Sequence, residues 1–253
     1  MKISFVIPFH NEENNCIPMI ERVIDFARKN KLTFEIVPVD DRSSDNTPEI
    51  LKQFAQKYTN NVFPLYRRNK KGEKGNTMGK ALIEGTKAAT GSQVIWTMGD
   101  LADDTATYKE IIAELQSGYD MVIGSRYMLG GSRGNLDPLK AFFSSMGTRL
   151  ARILFGIPVH DITNAFRGFR KEVFDSIRLD SSGFSISPEF AIKVHFSGHR
   201  LGEVPTIYTN RVRGVSNFKL YKMTLSYLGL YFVLFLQYII LRRPCDFIRK
   251  KLH

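Results

Sequence analysis

The sequence predicts an α/β protein, a mostly parallel sheet with helices on both faces, followed by amphipathic or hydrophobic C-terminal helices. Three observations predict it. Strand-like and helix-like segments alternate from residue 2 to residue 127, an order that implies parallel pairing through helical crossovers. Polar clusters close the strand-like runs, where such sheets gather their ligands. Finally, 253 residues with 43% hydrophobic content supply the core of one large domain.

The elements follow in order. KISFVIPFH (2–10) is an apolar run ending in proline and polar residues, too short for a signal peptide. NCIPMIERVIDFARKN (15–30) has apolar residues at helical spacing and basic residues near its end, which suit the helix dipole. TFEIVPVDD (33–41) is a second strand, and TPEILKQFAQKY (47–58) a helix with Thr47 as N-cap and Pro48 in its first turn. NVFPLYRR (61–68) is a third strand, TMGKALIEGTKAATG (77–91) a third helix and SQVIWTM (92–98) a fourth strand. TYKEIIAELQSG and YDMVIGSRY continue the alternation to residue 127, and residues 130–140, GGSRGNLDPLK, read as a mobile basic loop.

The C-terminal part changes character. Residues 223–241 carry no charged side chain over 19 positions, a length that could just span a bilayer core. Basic residues flank both ends, Lys219 and Lys222 before and Arg242, Arg243, Arg249, Lys250 and Lys251 after, and three tyrosines lie inside. That pattern favours a helix lying in the membrane interface over a spanning or a soluble core segment. The expected organisation is an α/β domain over 1–220 and a membrane-associating segment over 221–253.

The formal net charge of +11 favours an anionic partner: a nucleic acid, a lipid surface or a phosphorylated small molecule. Nucleic acid is disfavoured, because the basic residues form short clusters between carboxylates rather than a stripe. Cys16 and Cys245 lie far apart without metal-ligand spacing, which suits a reducing compartment. His195 and His199, at i and i+4 without an H-E-x-x-H context, read as packing or surface residues.

Three clusters carry chemistry. In VPVDDRSSDNTP, Asp40 and Asp41 end a strand and can accept from a nucleoside's base or ribose, while Ser44, Asp45 and Asn46 suit a turn and helix cap. In MGDLADD, Asp100, Asp103 and Asp104 crowd negative charge that a hard cation, Mg²⁺ or Mn²⁺, would relieve together with a diphosphate. Asp100, nearest the strand, is the better ligand, and Asp104 equally suits a helix N-terminus. The Gly-rich stretch RRNKKGEKGNTMGKAL, with Lys74, Gly75 and Gly79, lacks Walker spacing but can offer backbone N–H groups to an anion. Arg126, Arg133, Lys140, Arg211 and Arg213 add positive charge.

Taken in order, VIPFHNEE, VDDRSSDNT, KGEKGNTMGKALIEG, MGDLADD, GSRYMLGGSRG, DITNAFRGFRKEVF, SISPEFAIK and TNRVRGVSNFKL resemble the family 2 inverting glycosyltransferases of Rossmann-like GT-A fold. Within that family they are similar to the polyprenyl-phosphate branch, which includes the dolichyl-phosphate mannose synthases. The resemblance covers about residues 3–220. It implies transfer of a hexose from a GDP- or UDP-linked donor to a polyprenyl (dolichyl or undecaprenyl) phosphate, with a divalent cation, at the cytoplasmic face of the membrane. It places Pro8, Asn11 and Glu12 in the nucleotide-binding first loop, Asp41 at the base or ribose, and Asp100 at the metal. Arg126, Arg133, Lys140 and Ser145 fall near the acceptor phosphate, and Arg211 and Ser216 in the motif that closes over the donor diphosphate. The chain departs from the synthases' D-A-D-x-Q, with Met98, Gly99, Asp100, Leu101 and Ala102 at those places, so Asp103 or Asp104 would supply the missing ligand. DITNAF replaces D-P-M-S-G-F, and Asn217 the late lysine. A glycosyltransferase with a non-lipid acceptor, a nucleotidyltransferase and a weakly active nucleotide-sugar-binding membrane scaffold are the alternative readings.

Overall fold

Alternation of side chains along the first strand sets up both halves of the core. The structure, a computed structural model, describes residues 1–68, 77–209 and 220–241. Strand β1 (Lys2–Phe9) points Ile3, Phe5, Ile7 and Phe9 to one face and Val6 to the other, as the two-residue period of a strand requires. The first face is covered by helix α1 (Glu13–Lys29), helix α2 (Thr47–Lys57) and helix α4 (Thr105–Gln116). The second lies under helix α3 (Met78–Ala88), helix α5 (Pro138–Phe155) and helix α7 (Ile186–Phe196).

Seven strands among the described residues form one sheet in the order β3-β2-β1-β4-β6-β5-β7. Strands β2 (Thr33–Asp40), β3 (Leu65–Tyr66), β4 (Gln93–Trp96), β5 (Met121–Ser125) and β7 (Leu201–Pro205) run parallel to β1, and β6 (Arg167–Arg170) runs against its neighbours. A short helix α6 (Lys171–Ser176) follows β6 directly. Trp96 anchors the second face: its ring meets Phe169 edge-on at 5.1 Å, and its Nε1 donates to Thr86 Oγ1 at 2.8 Å. A buried indole keeps its place when its N–H is partnered.

Three expectations change. The strand expected over 61–68 pairs only at Leu65–Tyr66 and at a bridge from Val62 to Ile36, because Pro64 between them has no N–H to donate to the ladder. The expected loop over 130–140 ends early. Asp137 caps α5 by accepting from Lys140 N at 3.0 Å and Pro138 takes the first helical turn, so the D-P pair overrides the glycines before it. Finally, Tyr227, Tyr231 and Tyr238 do not face outward as an interfacial belt. They are buried on the inner side of helix α8 (Leu220–Phe235) and the π-helical turn Leu236–Ile240 that continues it. Phe155 meets Tyr231 at 5.9 Å and Phe196 stacks on Tyr238 at 4.6 Å. The opposite side of α8 exposes Leu225, Leu228, Phe232 and Val233.

Candidate active site

Strands β1, β2, β4 and β5 end at one edge, and the loops that follow them wall a cleft of about 1180 Å³. Asn11, Arg42 and Leu101, in the loops after β1, β2 and β4, hold left-handed backbone at φ 55°, 62° and 64°. Non-glycine residues adopt that conformation at a cost, and its recurrence at three adjacent strand ends marks a site whose turns are held by their surroundings.

At one end, Pro8, His10 and Glu12 line the cleft, with His10 Nδ1 2.7 Å from the Asp41 carbonyl oxygen. Asn11 instead binds the neighbouring loop, accepting from Ser44 N at 2.7 Å. Asp41 faces the cleft and is heavily engaged. Its Oδ1 accepts from Arg67 Nη1 at 2.5 Å and from Arg42 Nε at 3.2 Å, and its Oδ2 from Thr77 Oγ1 at 2.6 Å. Arg67 also reaches Glu84 through Nε at 3.2 Å. Asp40 stands behind, accepting from Ser43 N at 3.2 Å to brace the turn.

The three carboxylates after β4 separate in role. Asp100 lines the cleft, with Oδ1 accepting from Ala102 N at 3.2 Å. Gly99 lets this turn form, since a Cβ there would lie 2.9 Å from Pro8 O and 2.6 Å from the Phe9 ring. Asp103, expected as a metal ligand, does not line the cleft. Its Oδ2 accepts from Thr97 Oγ1 and Met98 N, each at 2.9 Å, and burial together with the Asp100 charge pushes its pKa up to about 7. Asp104 caps α4, accepting from Ala106 N at 3.0 Å. Among the described residues no three or more acidic, His or Cys side chains form a cage. One cleft carboxylate is still a fitting donor for a hard cation that shares its shell with substrate phosphates and water.

At the other end Arg126 lines the cleft and grips Asp161 two-pronged, Nε to Oδ2 at 2.7 Å and Nη2 to Oδ1 at 3.0 Å. Nη2 also donates to Ser144 and Thr163, each at 3.2 Å. Burial alone would lower the Arg126 pKa; the Asp161 carboxylate more than reverses that. Lys140 joins the wall, but Arg133 is exposed outside it. Ser145 is also outside, donating to Phe142 O. The helix turns about 100° per residue, so Ser144 is the serine of α5 that faces the site. Gly79 is closely packed: a Cβ would sit 2.7 Å from Ser181 O and 2.8 Å from Gly183 O. Lys74, Gly75, Arg211 and Ser216 lie outside the described residues.

Sequence reasoning missed Arg67, Thr77, Ser144, Asp161 and Thr163. Arg67 opens RRNKKGEKGNTMGKAL and Asp161 opens DITNAF, so both lay in stretches already singled out. Asp41 and Arg126 were themselves foreseen, but their pairings with Arg67 and Asp161, far off in sequence, carried no local signal.

Residues 4–178 match the family model described as "Glycosyl transferase family 2". The chain is 35% identical over 223 residues to a protein of Pyrococcus furiosus named "Dolichol-phosphate mannosyltransferase", covering 87% of this chain and 60% of that one. It is 29% identical to the "Polyprenol monophosphomannose synthase" of Mycolicibacterium smegmatis, over 83% of this chain and 78% of that one. Among solved structures, glucosyl-3-phosphoglycerate synthase from Mycobacterium tuberculosis, in complex with Mn²⁺, UDP and phosphoglyceric acid, superposes with a TM-score of 0.67 at 16% identity. That match covers 92% of this chain and 78% of the synthase and speaks for a shared fold.

Proposed function

The chain belongs to glycosyl transferase family 2, and from that premise we propose that it moves a hexose from a GDP- or UDP-linked donor to a polyprenyl phosphate. The transfer inverts the anomeric carbon and takes place at the cytoplasmic face of a membrane. One observation carries this reading: the cleft begins at Asp41 and Asp100 and runs to Lys222, Ser226 and Tyr227 of α8. That helix turns an apolar face outward, continued on α5 by Leu139, Phe142, Met146 and Ile153. Contiguous exposed apolar surface beside a polar cleft suits an enzyme that takes a lipid acceptor at the bilayer. The names of the two relatives support the same acceptor class.

The chemistry asks little of a base. A phosphate monoester is anionic at neutral pH, so an acceptor oxygen can attack the anomeric carbon while its bond to the nucleoside diphosphate breaks. Asp41, held by Arg67 and Thr77, accepts from the nucleoside. Asp100 would hold a divalent cation that, when bound, neutralises the departing diphosphate. Arg126, whose Nη1 carries none of its bonds to Asp161, Ser144 or Thr163, faces the acceptor phosphate.

A donor panel tests the reading: GDP-mannose, UDP-glucose, UDP-galactose and the UDP-N-acetylhexosamines, each with polyprenyl phosphate in detergent, with Mg²⁺ or Mn²⁺ and with chelator. A labelled lipid from one donor, lost with chelator, is the expected result. Nucleotide binding without lipid product from any donor would refute the lipid acceptor.

A further inference from the structure

Arg167 opens β6 and is fully buried, at 0% exposure. Among the described residues its guanidinium meets no carboxylate directly. Nη1 donates to Ser187 O at 2.8 Å, Nη2 to Ile162 O at 3.1 Å and to Asn164 O, and Nε is buried without a partner among the described residues. A buried arginine without a paired acid is costly, and an apolar side chain of similar length would be the cheaper filling. The nearby carboxylate, Asp161, already spends both oxygens on Arg126.

We propose that Arg167 is a positioning residue for the acceptor-phosphate end of the cleft: it ties the loop Asp161–Asn164 to the start of α7 and leaves the buried set of Arg126, Asp161 and Arg167 with one positive charge in excess. Both tied segments line the site, the loop through Thr163 and Asn164 and the helix start through Ser185 and Ser187. Arg126 alone, cancelled by Asp161, would offer a phosphate little net attraction. A second cation behind the carboxylate, shielded from water, restores it. Burial lowers the Arg167 pKa to about 9, with Asp161 opposing in part, so the group is charged at neutral pH.

This inference rests on the acceptor reading above, and the experiment separates the two. Farnesyl phosphate binding is measured by calorimetry for the full chain and for Arg167→Met and Arg167→Lys, with nucleoside diphosphate binding measured alongside. Arg167→Met should weaken farnesyl phosphate about tenfold or more, Arg167→Lys should recover most of that, and nucleotide affinity should stay within about twofold. Farnesyl phosphate bound equally by wild type and Arg167→Met overturns the inference alone. Nucleotide affinity falling in parallel marks a general structural role and also overturns it. If Arg167→Met does not fold, Arg167→Lys decides, because retention of farnesyl phosphate binding is then required. A wild-type chain that binds no farnesyl phosphate overturns the acceptor reading and the inference with it.

Discussion

Arg67 and Asp41 meet across the ends of β3 and β2 with Nη1 and Oδ1 2.5 Å apart, both side chains buried at the mouth of the cleft. The pair fixes the carboxylate that the nucleoside would meet. Without Arg67 the carboxylate keeps Arg42 and Thr77 but loses its shortest charged partner, at a cost of about 1.5–3 kcal/mol. Arg67→Met is therefore expected to lower unfolding stability by that order and to weaken nucleoside diphosphate binding, read by urea titration and calorimetry. Unchanged nucleotide affinity in a folded Arg67→Met would remove Asp41 from the donor site.

Gly79 owes its place to a close approach. A methyl at this position meets the backbone of residues 181–183, and Lys80 N donates to Ser182 O at 3.1 Å. Gly79→Ala should cost about 1–3 kcal/mol by overpacking and shift the cleft-lining segment from Ser182 to Ser185. Equilibrium unfolding checks the first effect and donor KM the second. A neutral Gly79→Ala would show that the backbone of residues 181–183 gives way to a methyl and that the close approach is not what requires glycine here.

Glu35 gives the fold an acid-sensitive joint. Burial alone would raise its pKa, but hydrogen bonds from Lys2, Ser4 and Thr90 lower it from 4.5 to about 2. The folded value is depressed, so the stabilisation is complete above about pH 4.5 and fades as pH falls toward 2. Its size is roughly 3 kcal/mol, at about 1.4 kcal/mol per pH unit. Glu35→Gln should flatten the stability profile between pH 5 and 2, roughly the window this shift defines. A profile as steep as wild type would place the acid sensitivity elsewhere.

How much of this was legible in the sequence depended on range. Segments from β1 through β5 announced themselves by alternating period and capping residues, and the strand-end carboxylates Asp41 and Asp100 followed from topology. The later half was harder. Strand β6 is four residues long and antiparallel, too short for a period to show. The α5 start at Asp137–Pro138 was masked by the glycines before it, and the family resemblance put Ser145 forward where the helix turns Ser144 to the cleft. Asp161 and Arg67 owe their roles to Arg126 and Asp41, tens of residues away, and Arg167 to the way the loop before it and the start of α7 close over it; no local pattern encodes those pairings.

The outward face of α8 yields a membrane test. Leu228 is 48% exposed and Phe232 65%, so neither is needed for the core, and charges there should change stability by less than about 0.5 kcal/mol. In a bilayer each would bury an apolar side chain at a gain of about 1.5–3 kcal/mol. Leu228→Glu and Phe232→Glu should each weaken binding to anionic vesicles about tenfold or more, read by co-sedimentation. Vesicle binding that survives both substitutions would put the membrane contact on another face.

Asp100 and Asp103, three residues apart, should respond oppositely to the same substitution. Asp100 faces the cleft, so Asp100→Asn is expected to cut turnover about 100-fold or more while leaving the fold intact. Asp103 faces Thr97 and Met98, and an asparagine oxygen can accept the same two hydrogen bonds. Its pKa is raised from 3.8 to about 7, so the folded state prefers the proton and wild-type stability falls as pH rises between those values. Asp103→Asn removes that fall. The variant should be more stable than wild type at pH 8, by on the order of 4 kcal/mol, with the gap closing toward pH 4. Thermal unfolding at the two pH values, beside initial rates, reads both residues at once. A collapse of turnover in Asp103→Asn equal to that of Asp100→Asn, with no gain in stability at pH 8, would return Asp103 to the metal.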